Sequence, residues 1–172
     1  ISSKVSKIPT GAFYHSPIKL VQLSNCKSVG DSAFCQCTTL QKAVLPRMQQ
    51  VGDCAFMGCK SLLYLDLPQL RVVGKMCFAR SAIMKIGLQQ LQHLKDSLHG
   101  CKNLQSVGAP GVVDWDEGCF VGVPGAAAVL GRKVQEVISG DFGFQERAGM
   151  RRVLGGMKKM MGYMLRASQV GK

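Results

Sequence analysis

The sequence predicts a solenoid of coils about 22 residues long with short parallel β-strands, followed by C-terminal α-helices. The main observation is an apolar residue, here called the anchor, that recurs at intervals of 21, 22, 22, 20 and 22 residues. The anchors are Phe13, Phe34, Phe56, Phe78, Leu98 and Phe120. A repeat period of about 20 to 50 residues is typical of proteins in which each repeat stacks on the next.

Two further positions keep the same phase around the anchors. An aliphatic or aromatic residue precedes five of the anchors by five residues, at Ile8, Val29, Val51, Val73 and Trp115. A small residue with a thiol or hydroxyl group follows five of them by three residues, at Ser16, Cys37, Cys59, Ser81 and Cys101. We therefore expect inward-facing columns of equivalent side chains. We also expect Gly30 and Gly52 to allow a tight bend before the anchor.

An apolar triplet after each small residue predicts a short β-strand. Three triplets end in proline, which cannot donate a further hydrogen bond to a sheet; they are Leu40, Ala43, Leu45 with Pro46, then Leu62, Leu65, Leu67 with Pro68, then Leu104, Val107, Ala109 with Pro110. Residues between the inward-facing ones should point outward. They form two rows, Gln22, Val44, Asp66, Gly87 and Gly108 in one, and Lys42, Tyr64, Lys85 and Ser106 in the other.

The repeats resemble the BspA-like class of leucine-rich repeat, whose units follow the pattern I-G-x-x-A-F-x-x-C-x-x-L-x-x-I-x-L-P. The matching stretches are VGDSAFCQC at 29–37, VGDCAFMGC at 51–59 and VGKMCF at 73–78, and the resemblance covers about residues 5–123. It implies a leucine-rich-repeat solenoid. It also implies protein binding without catalysis, as in surface or secreted proteins of bacteria and unicellular eukaryotes.

We expect residues 1–123 to form the solenoid and residues 124–172 to form a C-terminal helical cap or basic amphipathic tail. Two alternatives remain for the start of the second region. Residues 125–139 have a helical pattern, with Leu130, Val134, Val137 and Ile138 on one face and Gly140 as the stop. Alternatively the solenoid continues, since Val137 and Phe142 lie 22 residues after Trp115 and Phe120.

The last 25 residues predict a basic amphipathic helix. Its apolar residues follow three-and-four spacing, at Met150, Val153, Leu154, Met157, Met160, Met161, Met164 and Leu165. The basic residues that we expect to contact a partner are Arg147, Arg151, Arg152, Lys158, Lys159 and Arg166. This helix contains several glycines, so it needs a surface on which to fold. That surface is the end of the solenoid, another protein, or an anionic membrane or nucleic acid.

The charge of the chain favours an anionic partner. The net charge is +12, and residues 142–172 contribute seven Lys or Arg against one Glu, or +6. The remaining 141 residues contribute fifteen basic against nine acidic residues, again +6. Such an excess is typical of proteins that meet nucleic acid, an acidic protein surface or an anionic membrane.

The eight cysteines indicate buried free thiols rather than a disulfide framework. Cys37, Cys59 and Cys101 take the small inward position of the repeat, so stacking sets their spacing. Reduced cysteines favour an intracellular or organellar compartment. An extracellular or cell-surface location stays open, because the family includes such proteins.

No catalytic motif accompanies the repeats. His15, His93 and His99 are isolated, and the acidic cluster of Asp114, Asp116 and Glu117 lacks the spacing of a calcium loop. We therefore predict no enzyme activity, metal, cofactor or small-molecule substrate. The leading hypothesis is a protein-binding module that uses Gln22, Lys42, Val44, Tyr64, Asp66 and Lys85. The alternative is a structural subunit of a large assembly, anchored by its basic C-terminal helix to protein, RNA or an anionic membrane.

Overall fold

A computed structural model describes residues 5–112, 114–116, 118, 119 and 121–123 of the chain. Over these residues the chain forms a parallel β-solenoid of about five coils, as the repeats predict. The predicted C-terminal helices, the boundary at residue 123 and the basic tail contacts concern residues that lie outside this described part.

Each coil contributes two short strands. The odd-numbered strands have two residues each: β1 Lys7–Ile8, β3 Ser28–Val29, β5 Gln50–Val51, β7 Val72–Val73, β9 His93–Leu94 and β11 Asp114–Trp115. The even-numbered strands have three residues each: β2 Leu20–Gln22, β4 Lys42–Val44, β6 Tyr64–Asp66, β8 Lys85–Gly87 and β10 Ser106–Gly108. The even-numbered strands coincide with the predicted triplets. The odd-numbered strands were not predicted, because a two-residue strand has no periodicity to detect.

Equivalent strands of successive coils pair in parallel. One ladder joins β1, β3, β5 and β7, and another joins β9 and β11. The even-numbered strands form two ladders, β2 with β4 and β6 with β8 and β10, so backbone pairing is interrupted between β4 and β6. The registers match the sequence repeat, with Val29 opposite Val51 and Leu65 opposite Ile86.

The anchors form an aromatic stack through the core. Ring centroids lie 5.2 Å apart for Phe13 and Phe34, 5.0 Å for Phe34 and Phe56, and 6.0 Å for Phe56 and Phe78. The last three side chains are fully buried, whereas Phe13, at the end of the stack, is 37% exposed. Burial of each phenylalanine contributes about 1.5 to 3 kcal/mol, so the stack is a main source of stability. Leu98 is also fully buried and ends the aromatic run.

The small inward position holds a hydrogen-bond donor. The thiols of Cys37, Cys59 and Cys101 donate to the backbone carbonyl oxygens of Phe13, Phe34 and Phe78, over 2.8, 3.2 and 3.1 Å. Each acceptor is therefore the anchor of the preceding coil. This contact explains why the position takes a small donor such as cysteine, whereas the Ser81 hydroxyl at the equivalent position contacts the Cys101 sulfur at 3.5 Å. All eight cysteines are free thiols in the structure.

The glycines before the anchor serve close packing between coils, so the predicted bend at Gly30 and Gly52 is wrong. A Cβ atom on Gly30 would lie 2.5 Å from the Thr10 nitrogen and 2.8 Å from the Pro9 carbonyl carbon. The Gly30 N–H instead donates to the Ile8 carbonyl over 2.9 Å, and Gly52 donates to Val29 over the same distance. Only a residue without a side chain lets the two backbones approach so closely.

The bends occur two residues before and two residues after the anchor. The earlier position has positive φ at Gly11, Ser32, Cys54 and Met76, and the later one at His15, Gln36, Gly58, Arg80, Gly100 and Gly122. Steric repulsion destabilises a non-glycine residue in this left-handed region, so contacts with the surrounding coils must compensate for that destabilisation. The sequence alone did not indicate these positions, because most of the residues there are not glycine.

We predict that Gly52→Ala strongly destabilises the solenoid. The new Cβ atom would lie 2.7 Å from the Asp31 nitrogen and 2.8 Å from the Gly30 carbonyl carbon, and backbone atoms cannot rotate away. Forced overpacking of this kind costs about 3 kcal/mol. The control is Gly108→Ala, where the nearest atom is the Ile86 oxygen at 3.8 Å and the cost should stay within about 0.5 kcal/mol. Urea unfolding measures both, and equal stability of the two variants would contradict this account of coil packing.

We also predict that buried thiols weaken the fold at high pH. Burial raises the pKa of Cys59 from 9.0 to about 12, so the thiol stays protonated in the folded chain while it ionises in the unfolded chain. Stability is therefore complete below pH 9 and falls between pH 9 and about 12, by about 1.4 kcal/mol per pH unit for such a group. Between pH 8 and pH 10, the free energy of unfolding of the wild type should fall by about 1.4 kcal/mol more than that of Cys59→Ala. Urea unfolding in the presence of reductant measures both. Equal losses would mean that this thiol does not contribute.

Candidate protein-binding face

The even-numbered strands build one continuous surface, here called the strand face. The central residue of each of these strands is buried in the core, at Val21, Ala43, Leu65, Ile86 and Val107. Because side chains alternate along a strand, the residues on either side of each central residue point outward. The strand face consists of these flanking residues, which form two rows that run from coil to coil.

The first row contains Leu20, Lys42, Tyr64, Lys85 and Ser106, one from each coil. Tyr64 lies opposite Lys85, which in turn lies opposite Ser106. Tyr64 is 58% exposed and Leu20 is 55% exposed. Lys42, Tyr64 and Lys85 are therefore brought together as predicted. Leu20 was missed as an outward residue. The apolar triplet of its coil, Ile18, Val21 and Leu23, lies one residue closer to the anchor than the triplets that end in proline, and this shift could have identified Leu20 as the equivalent of Lys42.

The second row contains Gln22, Val44, Asp66, Gly87 and Gly108. Gln22 and Asp66 are exposed, and Val44 is half-buried. Asp66 lies opposite Gly87, where an added Cβ atom would overlap the Asp66 carboxylate. Gly87 thus leaves room for this carboxylate beside the backbone, and no atom lies closer than 3.8 Å to the corresponding position at Gly108. Gly108 therefore leaves bare backbone at one end of the row, whereas Gly87 is covered by the Asp66 carboxylate.

A groove of about 680 Å³ runs across the middle of the strand face. Its lining includes Lys42, Val44, Tyr64, Asp66 and Lys85, five of the six residues predicted to bind a partner. Gln22, the sixth, lies on β2 and does not line it. The groove spans the interruption between β4 and β6, so its floor includes strand edges that are not paired with each other in a ladder.

The strand face combines positive charge with apolar surface. Lys19, Lys42 and Lys85 are exposed on it or directly before its strands, whereas Asp66 is the one acidic side chain among its described residues. Leu63, which precedes β6, is 39% exposed and adds to the apolar surface of Tyr64. An exposed tyrosine is of the residue type that is enriched in protein interfaces, whereas lysine is depleted there.

The odd-numbered strands line a second, smaller groove of about 380 Å³. Two carboxylates near this groove stabilise the fold. The Asp31 carboxylate accepts a hydrogen bond from the backbone N–H of Asp53 over 2.9 Å, and the Asp53 carboxylate accepts one from the backbone N–H of Lys75 over 2.7 Å. The repeat therefore engages these acidic groups in contacts between coils. The strand face, whose outward side chains take part in fewer such contacts, is the better candidate for binding.

The described residues contain no group of three or more His, Cys, Asp or Glu side chains suited to a metal ion. Their buried thiols are poor nucleophiles, because burial raises the pKa of Cys119 to about 12 and the pKa of Cys77 well above its usual value. Over the same part of the chain, no helix is long and apolar enough to cross a membrane.

Comparison with known proteins agrees with this geometry. The fold is similar to that in a crystal structure of a T. pallidum leucine-rich-repeat protein, TpLRR, with a TM-score of 0.55 and 21% identity, covering 83% of this chain and 82% of that one. No curated protein matches the sequence. The family model described as BspA type leucine rich repeat region (6 copies) matches residues 27–135, more than half of the chain. This chain therefore belongs to the BspA-type leucine-rich-repeat family.

Proposed function

We propose that this chain is a non-enzymatic protein-binding module whose strand face is the interaction surface. The observation that carries the proposal is Tyr64, a large amphipathic side chain 58% exposed in the groove that crosses this face. Tyrosine is enriched among the few residues that dominate binding energy in protein interfaces. Membership of a family of repeat modules that generally bind proteins supports the same function.

The rigidity of the strand face supports binding as well. Its central strand residues are buried, and the thiol donors and aromatic stack hold adjacent coils together. A preorganised surface loses little conformational entropy when a partner docks, so more of the contact energy appears as affinity. The exposed side chains of Lys42, Tyr64 and Lys85 are attached to this framework through β4, β6 and β8.

The basic C-terminal region supports a second candidate function, that of a structural subunit anchored within a large assembly. Its seven Lys or Arg against one Glu provide a charged contact distinct from the strand face. Arg147, Arg151, Arg152, Lys158, Lys159 and Arg166 would bind an acidic protein, RNA or an anionic membrane. In this function the solenoid acts as a spacer.

For the strand face, we predict that Tyr64→Ala weakens binding to an isolated partner protein by about tenfold or more, a typical loss at an interface anchor. Asp66→Lys should change the affinity as well, because it reverses the one acidic charge among the described residues of the strand face. The matched control is Tyr14→Ala, since Tyr14 is 56% exposed but lies outside the strand face. Partners recovered with the intact chain would be titrated against each variant by calorimetry, with thermal unfolding to check folding. Unchanged affinity of both Tyr64→Ala and Asp66→Lys would move the binding site elsewhere.

For the tail, we predict that binding to RNA or anionic vesicles weakens steeply as salt increases, because counterions are released on binding. Replacing Arg151, Arg152, Lys158 and Lys159 by glutamine should reduce the slope of log affinity against log salt. The control replaces Lys60 and Lys102, two basic residues of the solenoid, by glutamine. A salt slope that is the same in all three proteins would exclude the tail as the anchor.

A further inference from the structure

We propose that the strand face accepts an extended acidic segment of a partner protein that also carries apolar side chains. This inference rests on the proposed function and names the chemistry of the partner. It is derived from the charges, the exposed apolar side chains and the spacing of the described strands.

The charge of the strand face selects an acidic partner. Lys19, Lys42 and Lys85 give three positive charges against the single negative charge of Asp66, a local balance of +2. Lys42 and Lys85 line the groove from β4 and β8, on either side of Tyr64 on β6. A basic segment laid along the same row would meet like charges at both positions, which opposes its association.

The exposed apolar side chains of the strand face indicate that the partner segment carries apolar residues as well as acidic ones. The described chain has seven large hydrophobic side chains that are exposed, and three of them, Leu20, Leu63 and Tyr64, lie on or beside this face. Tyr64 stands between the two lysines, so an apolar side chain placed between two acidic ones would cover it. Burial of Tyr64 against the apolar side chain of the partner contributes affinity, whereas the carboxylates of the partner fix its position along the groove.

The strand spacing sets the separation of the acidic residues. The coils that carry β4 and β6 are paired through β5 and β7, and paired strands lie about 4.8 Å apart, so Lys42 and Lys85, two coils apart, begin about 10 Å from each other. A chain in the polyproline II conformation has three residues per turn and rises about 3.1 Å per residue, so the side chains of residues i and i+3 lie on one side and about 9 Å apart. A segment with an acidic residue at every third position, running from coil to coil, therefore matches the lysines. The bare backbone at Gly108 gives it room at one end.

The test uses the full chain and a fluorescein-labelled twelve-residue peptide with four repeats of Glu-Leu-Gly. Two peptides of the same length, with Gln-Leu-Gly or Lys-Leu-Gly repeats, report the contribution of charge. Fluorescence anisotropy at physiological ionic strength gives the affinity of each. We expect the glutamate peptide to bind at least tenfold more tightly than the other two.

Charge reversal on the protein then locates the contact. Lys42→Glu with Lys85→Glu should weaken binding of the glutamate peptide about tenfold or more. The matched control is Lys60→Glu with Lys102→Glu, which makes the same charge change two coils apart at exposed residues outside the groove. This control should keep most of the affinity, and it also accounts for attraction of the peptide to other basic parts of the chain.

Each outcome has a different consequence. Equal binding of the three peptides, or equal losses in the two charge-reversed proteins, overturns the acidic partner. If Tyr64→Ala nevertheless weakens binding of a partner protein, the proposed function stands and only this inference fails. If neither Tyr64→Ala nor reversal of Lys42 and Lys85 changes any binding, both the proposed function and the acidic partner are wrong.

Discussion

The structure depends on backbone contact between one coil and the next. Four anchor N–H groups donate to carbonyls of the following coil over 2.7 to 3.0 Å, from Phe13 to Ala33, from Phe34 to Ala55, from Phe56 to Cys77 and from Phe78 to Ser97. This spacing brings the phenylalanine rings to within 5.0 to 6.0 Å of each other, a favourable stacking distance. It also places Cys59 within reach of the Phe34 carbonyl. The aromatic stack and the thiol contacts thus share the distance that the backbone sets.

The same constraint shapes the strand face. Because each coil is hydrogen-bonded to its neighbours, the position of its strand along the solenoid is fixed. The outward residues of β4, β6 and β8 therefore form rows with regular spacing. These outward side chains are therefore less constrained by packing than the buried central ones. Under the proposed function, changes at Lys42, Tyr64 or Lys85 would alter binding without disturbing the core, as long as the buried Ala43, Leu65 and Ile86 keep their packing.

Much of this arrangement could be predicted because the same residue pattern recurs in several successive repeats. The anchors, the inward cysteines and the outward rows all follow from equivalent positions in successive units, and Lys42, Tyr64 and Lys85 lie where the pattern puts them. Features that depend on three-dimensional proximity could not be predicted. Pattern alone does not reveal that Gly30 faces the backbone of Pro9 and Thr10. Nor does it reveal the interruption between β4 and β6, since both strands follow the repeat.

The interruption between β4 and β6 links stability to recognition. Elsewhere on the strand face backbone groups are paired within ladders, but here two neighbouring strands keep the repeat without forming one. The groove crosses this point, and Tyr64, at the start of β6, stands beside it. If the strand face binds a partner as we propose, the contact at Tyr64 lies where the ladder is interrupted, so binding there would also bridge β4 and β6.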